Sequence, residues 1–84
     1  MTATMTQVLE SLATYGPTAW TNPRGTVLAS VRNGHRLVTI APIPAGVRVA
    51  KWIDYGDDAA RSFCDSRNYK SASAAARFAR EHLR

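Results

Sequence analysis

This sequence predicts an α+β domain: an antiparallel sheet of three to four strands with an N-terminal and a C-terminal helix packed on one of its faces. Three observations carry that prediction. Two alternating runs between Thr26 and Ile43 meet at Asn33-Gly34, apolar residues recur at helical spacing near the start, and an alanine-rich amphipathic run closes the chain. Asn-Gly between alternating runs is a β-hairpin signal, because a type I′ turn needs positive φ at both central residues. The element order is helix, three strands, a further segment, then helix, in one domain over residues 1–84.

Thr4-Met5-Thr6-Gln7 fits a capping box, with the Thr4 hydroxyl accepting from the third helical N–H and Gln7 reaching back. Met5, Val8, Leu9 and Leu12 share one helical face. Gly16 can take the left-handed conformation beyond the helix and Pro17 cannot extend it, so a helix from about Met5 to Tyr15 is expected. From Pro17 to Gly25 the chain reads as irregular, punctuated by Pro17, Asn22-Pro23 and Gly25. Trp20, in that stretch, reads as a lid on the core, because its large area is costly to leave in water.

With Asn33-Gly34 as a two-residue turn, Arg32 is expected opposite His35, Val31 opposite Arg36, Ala29 opposite Val38 and Val27 opposite Ile40. Val27, Ala29, Val31, Val38 and Ile40 then form the core face. Leu28, Ser30, Arg32, His35, Leu37 and Thr39 form the outer one. Pro42, Pro44 and Gly46 end the second strand and lead into a third alternating run, Val47 to Tyr55. Val47, Val49 and Ile53 face the core there, Lys51 interrupts the pattern in the manner of a bulge or an exposed strand end, and Arg48 and Trp52 join the outer face.

Residues 57–67 admit two readings. Ala59, Ala60, Phe63 and Cys64 have helical spacing, yet Ser62, Phe63, Cys64 and Ser66 are indifferent helix formers, and a short connection through Gly56-Asp57-Asp58 favours a fourth antiparallel strand. Ser71 or Ser73 caps a last helix from about Ala72 to Leu83. At about 100° per residue, its Phe78, His82, Ala75, Ala79, Ala72, Leu83 and Ala76 span an arc of about 160°, with Arg77, Arg80, Glu81 and Arg84 opposite.

A chain of 84 residues holds one small core, and 45% hydrophobic with 20% charged residues is the balance of a folded domain. The single cysteine, Cys64, excludes an internal disulfide framework. The first ten residues lack the basic start and apolar centre of a signal peptide, and no apolar run approaches membrane-spanning length, so a cytoplasmic protein without a membrane partner is expected. The net charge of +5 comes from nine arginines and two lysines. Such arginine use beside fourteen alanines fits GC-rich coding, and the charge itself permits an anionic partner.

Two groups of residues are candidate binding surfaces. Arg32, His35, Arg48 and Trp52 on the outer sheet face combine cations with an aromatic ring. Single-strand nucleic-acid binders use such a set, and Trp and Arg also anchor protein interfaces. Lys70, Arg77, Arg80 and Arg84, with Arg67 nearby, line the last helix and its approach, where guanidinium groups can grip phosphates or carboxylates. The same arginines also suit a solvated helix face. Asp54, Asp57, Asp58 and Asp65 lack the spacing of a cation loop and read as surface turn residues. Cys64, His35 and His82 supply neither the paired spacing of a zinc site nor the surroundings of a nucleophile, and His82 reads as a satisfied histidine at the core edge. No catalytic residue, cofactor, metal or small-molecule substrate is expected.

The order of helix, three antiparallel strands and helix resembles that of the double-stranded-RNA-binding domain. That family's second helix opens with adjacent lysines after a small residue, whereas Asn68-Tyr69-Lys70-Ser71-Ala72 offers one lysine. The resemblance is therefore one of topology, and none of that family's contacts is carried over. In size, arginine use and lack of motifs the chain is also similar to small phage or mobile-element accessory proteins, including inhibitors of host defence nucleoproteins such as anti-CRISPR proteins. The expected function is a non-enzymatic binding module for a protein or nucleoprotein partner, with direct nucleic-acid binding as the alternative.

Overall fold

A computed structural model describes residues 1–56 and 60–84. Helix α1 (Ala3–Ser11) runs into a 3-10 turn (Ala13–Tyr15), then come β1 (Thr18–Thr21), β2 (Val27–Asn33), β3 (Arg36–Ile43), β4 (Gly46–Ile53), β5 (Ser62–Tyr69) and α2 (Ala72–Leu83). The five strands form one antiparallel sheet in the order β1-β2-β3-β4-β5. Both helices pack on one face, where Met5 and Val8 of α1, Leu12 just after it, and Ala75, Phe78, Ala79 and Leu83 of α2 meet Val31, Val38, Ile40, Val47 and Val49 of the sheet. The class is the expected α+β, with five strands in place of three or four; the two further strands also part it from the helix, three strands, helix order of the RNA-binding domain.

Sequence and structure differ first at α1. The helix begins at Ala3 and its cap is Thr2, whose hydroxyl oxygen accepts from the Met5 N–H at 3.2 Å, so the box around Thr4 and Gln7 is not the start signal. The α-helix ends at Ser11, and the chain tightens through the 3-10 turn before Gly16 takes the left-handed conformation, φ 65°. The stretch expected to be irregular contains β1. Its turn into β2 is built by Asn22, whose side-chain oxygen accepts from the N–H groups of Arg24 at 3.0 Å and Thr26 at 2.9 Å. Trp20 is no lid on the core: it stands on the face the helices leave open and is 44% exposed.

The β2–β3 turn lies one residue further along than Asn-Gly implied. Asn33 pairs with Arg36, Val31 with Val38 and Ala29 with Ile40, and Gly34, φ 62°, and His35 make the turn. Asn33 stays in the strand because its carboxamide donates to the Leu83 carbonyl at the end of α2, beside Arg36, which donates to the carbonyls of His82 at 3.2 Å and Arg84 at 2.9 Å. Moving the turn by one residue changes each pairing by two, so every strand residue keeps its face. Pro42 lies inside β3, opposite Val47 of β4 and beyond the last β2 partner, Ile40, where its missing N–H costs no ladder bond toward β2.

Strand β5 bears out the strand reading of the ambiguous segment, whose residues 57–59 lie outside the described ones. The irregularity expected at Lys51 is present, but the extra residue belongs to β5. Lys51 faces Asp65 and Trp52 faces Phe63, which leaves Cys64 as a bulge. Lys51 itself stays on the helix side, between Val49 and Ile53. Helix α2 spans the expected residues, with the Ser71 hydroxyl oxygen accepting from the Ala74 N–H at 3.3 Å. His82 is satisfied as expected: its Nε2 donates to the Trp52 carbonyl at 2.7 Å.

Candidate functional site: a groove across the open sheet face

Alternation along each strand sends every second side chain to the face without helices. There the residues fall into three rows that cross the strands. The middle row is Thr18, Ser30, Thr39, Ala50 and Ser66, all small. Two residues away along one strand direction stand Arg32, Leu37, Trp52 and Phe63; two residues away along the other stand Trp20 and Leu28, then Ala41, Arg48 and Asn68. Small residues between two ridges of large ones make a valley. It is a groove of about 390 Å³ lined by Trp20, Leu28, Thr39, Ala41, Arg48, Ala50, Trp52, Phe63 and Ser66. At ~4.8 Å between neighbouring strands it crosses ~19 Å of sheet, and its ridges stand ~13 Å apart at ~3.3 Å per residue.

The groove walls are held by contacts within the protein. Trp52 Nε1 donates to the Thr39 hydroxyl at 2.9 Å, so the indole has its polar partner and offers only its ring to the groove. Phe63 meets that ring edge-on, with centroids 5.3 Å apart and planes at 74°. The bulge at Cys64 brings Phe63 opposite Trp52. Phe63 is 59% exposed and Trp20 44%, so two large apolar side chains face solvent on the same side of the sheet. Arg48 donates from Nε to the Asn68 side-chain oxygen at 3.0 Å, and among the described residues it has no carboxylate partner.

Of the expected outer-face set, Arg48 and Trp52 come together in this groove. Arg32 lies at the far end of the Trp52 ridge and is already engaged: Nη2 donates to Asp54 Oδ2 at 2.8 Å and Nη1 to the Asp54 carbonyl at 3.2 Å. His35 sits in the turn, its ring 4.7 Å from that of Tyr55. Asp54, expected as a surface turn residue, is buried and fixes this end of the molecule. Arg61 Nε donates to Asp54 Oδ2 at 3.1 Å and the Gly56 N–H to Oδ1 at 2.8 Å. The Arg32 hydrogen bond, helped by the Gly56 N–H, holds the Asp54 carboxyl at about 2, below the ordinary aspartate range, against the opposing effect of desolvation. Asp57 and Asp58 lie outside the described residues.

Arg77 and Arg80 belong to α2 and therefore to the opposite layer, with Arg84 just after that helix and Lys70 just before it. The sheet separates them from Arg48 and Trp52, so the two candidate basic surfaces lie on opposite faces of the protein. Arg67, on the helix side of β5, lies 3.4 Å from Asp65 and over the Phe78 ring, 5.2 Å from its centroid. Sequence reasoning missed Trp20, Ala50, Phe63 and Ser66 as groove residues. The available signal was spacing: Arg48, Ala50 and Trp52 alternate large, small, large along one face of one strand.

Among the described residues no group of three His, Cys, Asp or Glu is placed to hold a metal ion, and no helix is long and apolar enough to cross a membrane. Compared with protein-family models, curated proteins and solved structures, the chain matches none of them.

Proposed function

We propose that this protein is a non-enzymatic binding module that docks a protein or nucleoprotein partner on its open sheet face. One observation carries the reading: the groove across that face, with Trp20, Trp52 and Phe63 beside an Arg48 that has no carboxylate partner among the described residues. Interface hot spots are enriched in Trp and Arg set in pockets that exclude water, and an exposed apolar patch rimmed by polar groups is the usual mark of such a site. The internal bonds of Trp52 favour binding further, because a wall already fixed loses little side-chain freedom on association. A module of this kind acts by occupying its partner's surface, which suits a cytoplasmic accessory or inhibitor protein of a phage or mobile element.

The test is affinity capture from the native host, with and without nuclease, using the wild type and a variant carrying Trp20→Ala and Arg48→Glu. Both residues are exposed, so the variant keeps its circular dichroism spectrum. A partner retained by the wild type after nuclease and lost by the variant is the expected result. A partner held equally by both moves the site off the open face. Capture that vanishes with nuclease and weakens steeply between low and moderate salt assigns the protein to direct nucleic-acid binding, with Lys70, Arg77, Arg80 and Arg84 as the next residues to reverse.

A further inference from the structure

The charges around the groove are unequally matched, and from this we infer the chemistry of its occupant: an acidic segment of a partner protein, with one large apolar side chain lying between Trp20 and Trp52 and a carboxylate paired with Arg48. The inference rests on the open face being the docking surface and adds what docks there.

Electrostatic complementarity decides between occupants. On the Trp52 ridge Asp54 is taken by Arg32 at 2.8 Å and Arg61 at 3.1 Å, and on the other side of the sheet Asp65 is taken by Arg67 at 3.4 Å. Among the described residues Arg48 meets only the neutral Asn68 side chain, through Nε, and both Nη groups remain for the paired hydrogen bonds a carboxylate accepts. A second copy of the chain is a poor occupant. Face-to-face packing brings two chains of net charge +5 together with an Arg48 from each, while the exposed Glu10 and Glu81 sit on the helices of the other layer. Single-stranded nucleic acid fits less well, because such ligands need a run of cations tracking the backbone and the described residues lining this groove include one, Arg48. A volume of about 390 Å³ is at the low end for a ligand pocket, and a valley open along its length suits side chains delivered by a backbone lying across the strands. The small floor residues Thr39, Ala50 and Ser66 give those side chains depth.

The experiment is an NMR titration of the whole isotope-labelled protein with blocked hexapeptide pools. One pool combines Glu and Asp with a single Leu, Phe or Trp; in two others Gln and Asn, or Lys, replace the acids; a short oligothymidylate is the fourth ligand. The acidic pool is expected to shift the indole N–H signals of Trp20 and Trp52 and the Arg48 Nε–H, with about ten-fold tighter binding than the neutral pool. Arg48→Glu should lose about ten-fold for the acidic pool and gain for the lysine pool, with Arg48→Gln as the milder variant if the reversal disturbs folding. Equal binding of acidic and neutral pools in the groove overturns the acidic assignment and leaves the docking face standing. Shifts of the two indoles by oligothymidylate and by no peptide overturn both. No shift with the acidic pool at millimolar concentration overturns the assignment, and the capture experiment then judges the face on its own.

Discussion

The Lys51 ammonium nitrogen lies 3.7 Å from the centroid of the Phe78 ring, so a cation occupies the one core-facing strand position that breaks the apolar pattern of β4. The aliphatic stem covers core surface while the charge rests on the electron-rich ring face. A double-mutant cycle of Lys51→Met and Phe78→Leu should give a coupling of about 0.5–1 kcal/mol in urea denaturation. Lys51→Glu should destabilise more than Lys51→Met, since a carboxylate over the same ring is repelled and desolvated. Equal effects of the two substitutions would mean that the ring contributes packing alone.

Acid should act on Asp54. Its folded pKa of about 2 lies below the unfolded value, so its contribution is fully present above about pH 5 and is lost as pH falls through about 2. The stability difference between wild type and Asp54→Asn should thus be constant near neutrality and shrink steadily from about pH 5 downward. A difference that stays constant to pH 2 would mean that the Arg32 and Arg61 contacts do not persist in solution.

The end of α2 depends on the β2–β3 hairpin. Asn33→Ala and Arg36→Ala each remove donors to the last carbonyls of the helix, and each should cost about 0.5–1.5 kcal/mol. Amide exchange should quicken in the last turn, from Arg80 to Leu83, and stay unchanged in α1. Unchanged exchange in that turn would show that the helix end is held by Leu83 packing alone.

Much of this fold was legible because alternation and helical spacing are local properties. The assignment of β2 and β3 residues to faces survived an error in the turn, since a shift of two in pairing preserves parity. The error itself came from a contact fifty residues away in sequence: nothing local to Asn33 announces that its carboxamide is claimed by Leu83. Strand β1 was hidden for a different reason. All four of its residues are exposed, so Thr-Ala-Trp-Thr carries no hydrophobic alternation, and its pairing with β2 is the signal that defines it. At the site, Arg48 and Trp52 could be placed on one face from β4 alone. The loss of Arg32 to Asp54 and the arrival of Trp20 and Phe63 depend on strand order and on the bulge, which are long-range facts.

The bulge at Cys64 has a consequence for how these molecules meet one another. The exposed borders of the sheet are β1, only four residues long, and β5, whose ladder is interrupted at its centre. Neither offers the long, flat row of unpaired N–H and C=O groups on which chains stack edge to edge into fibrils. A protein that keeps aromatic rings exposed on one sheet face thereby stays protected at the two borders where runaway polymerisation would begin.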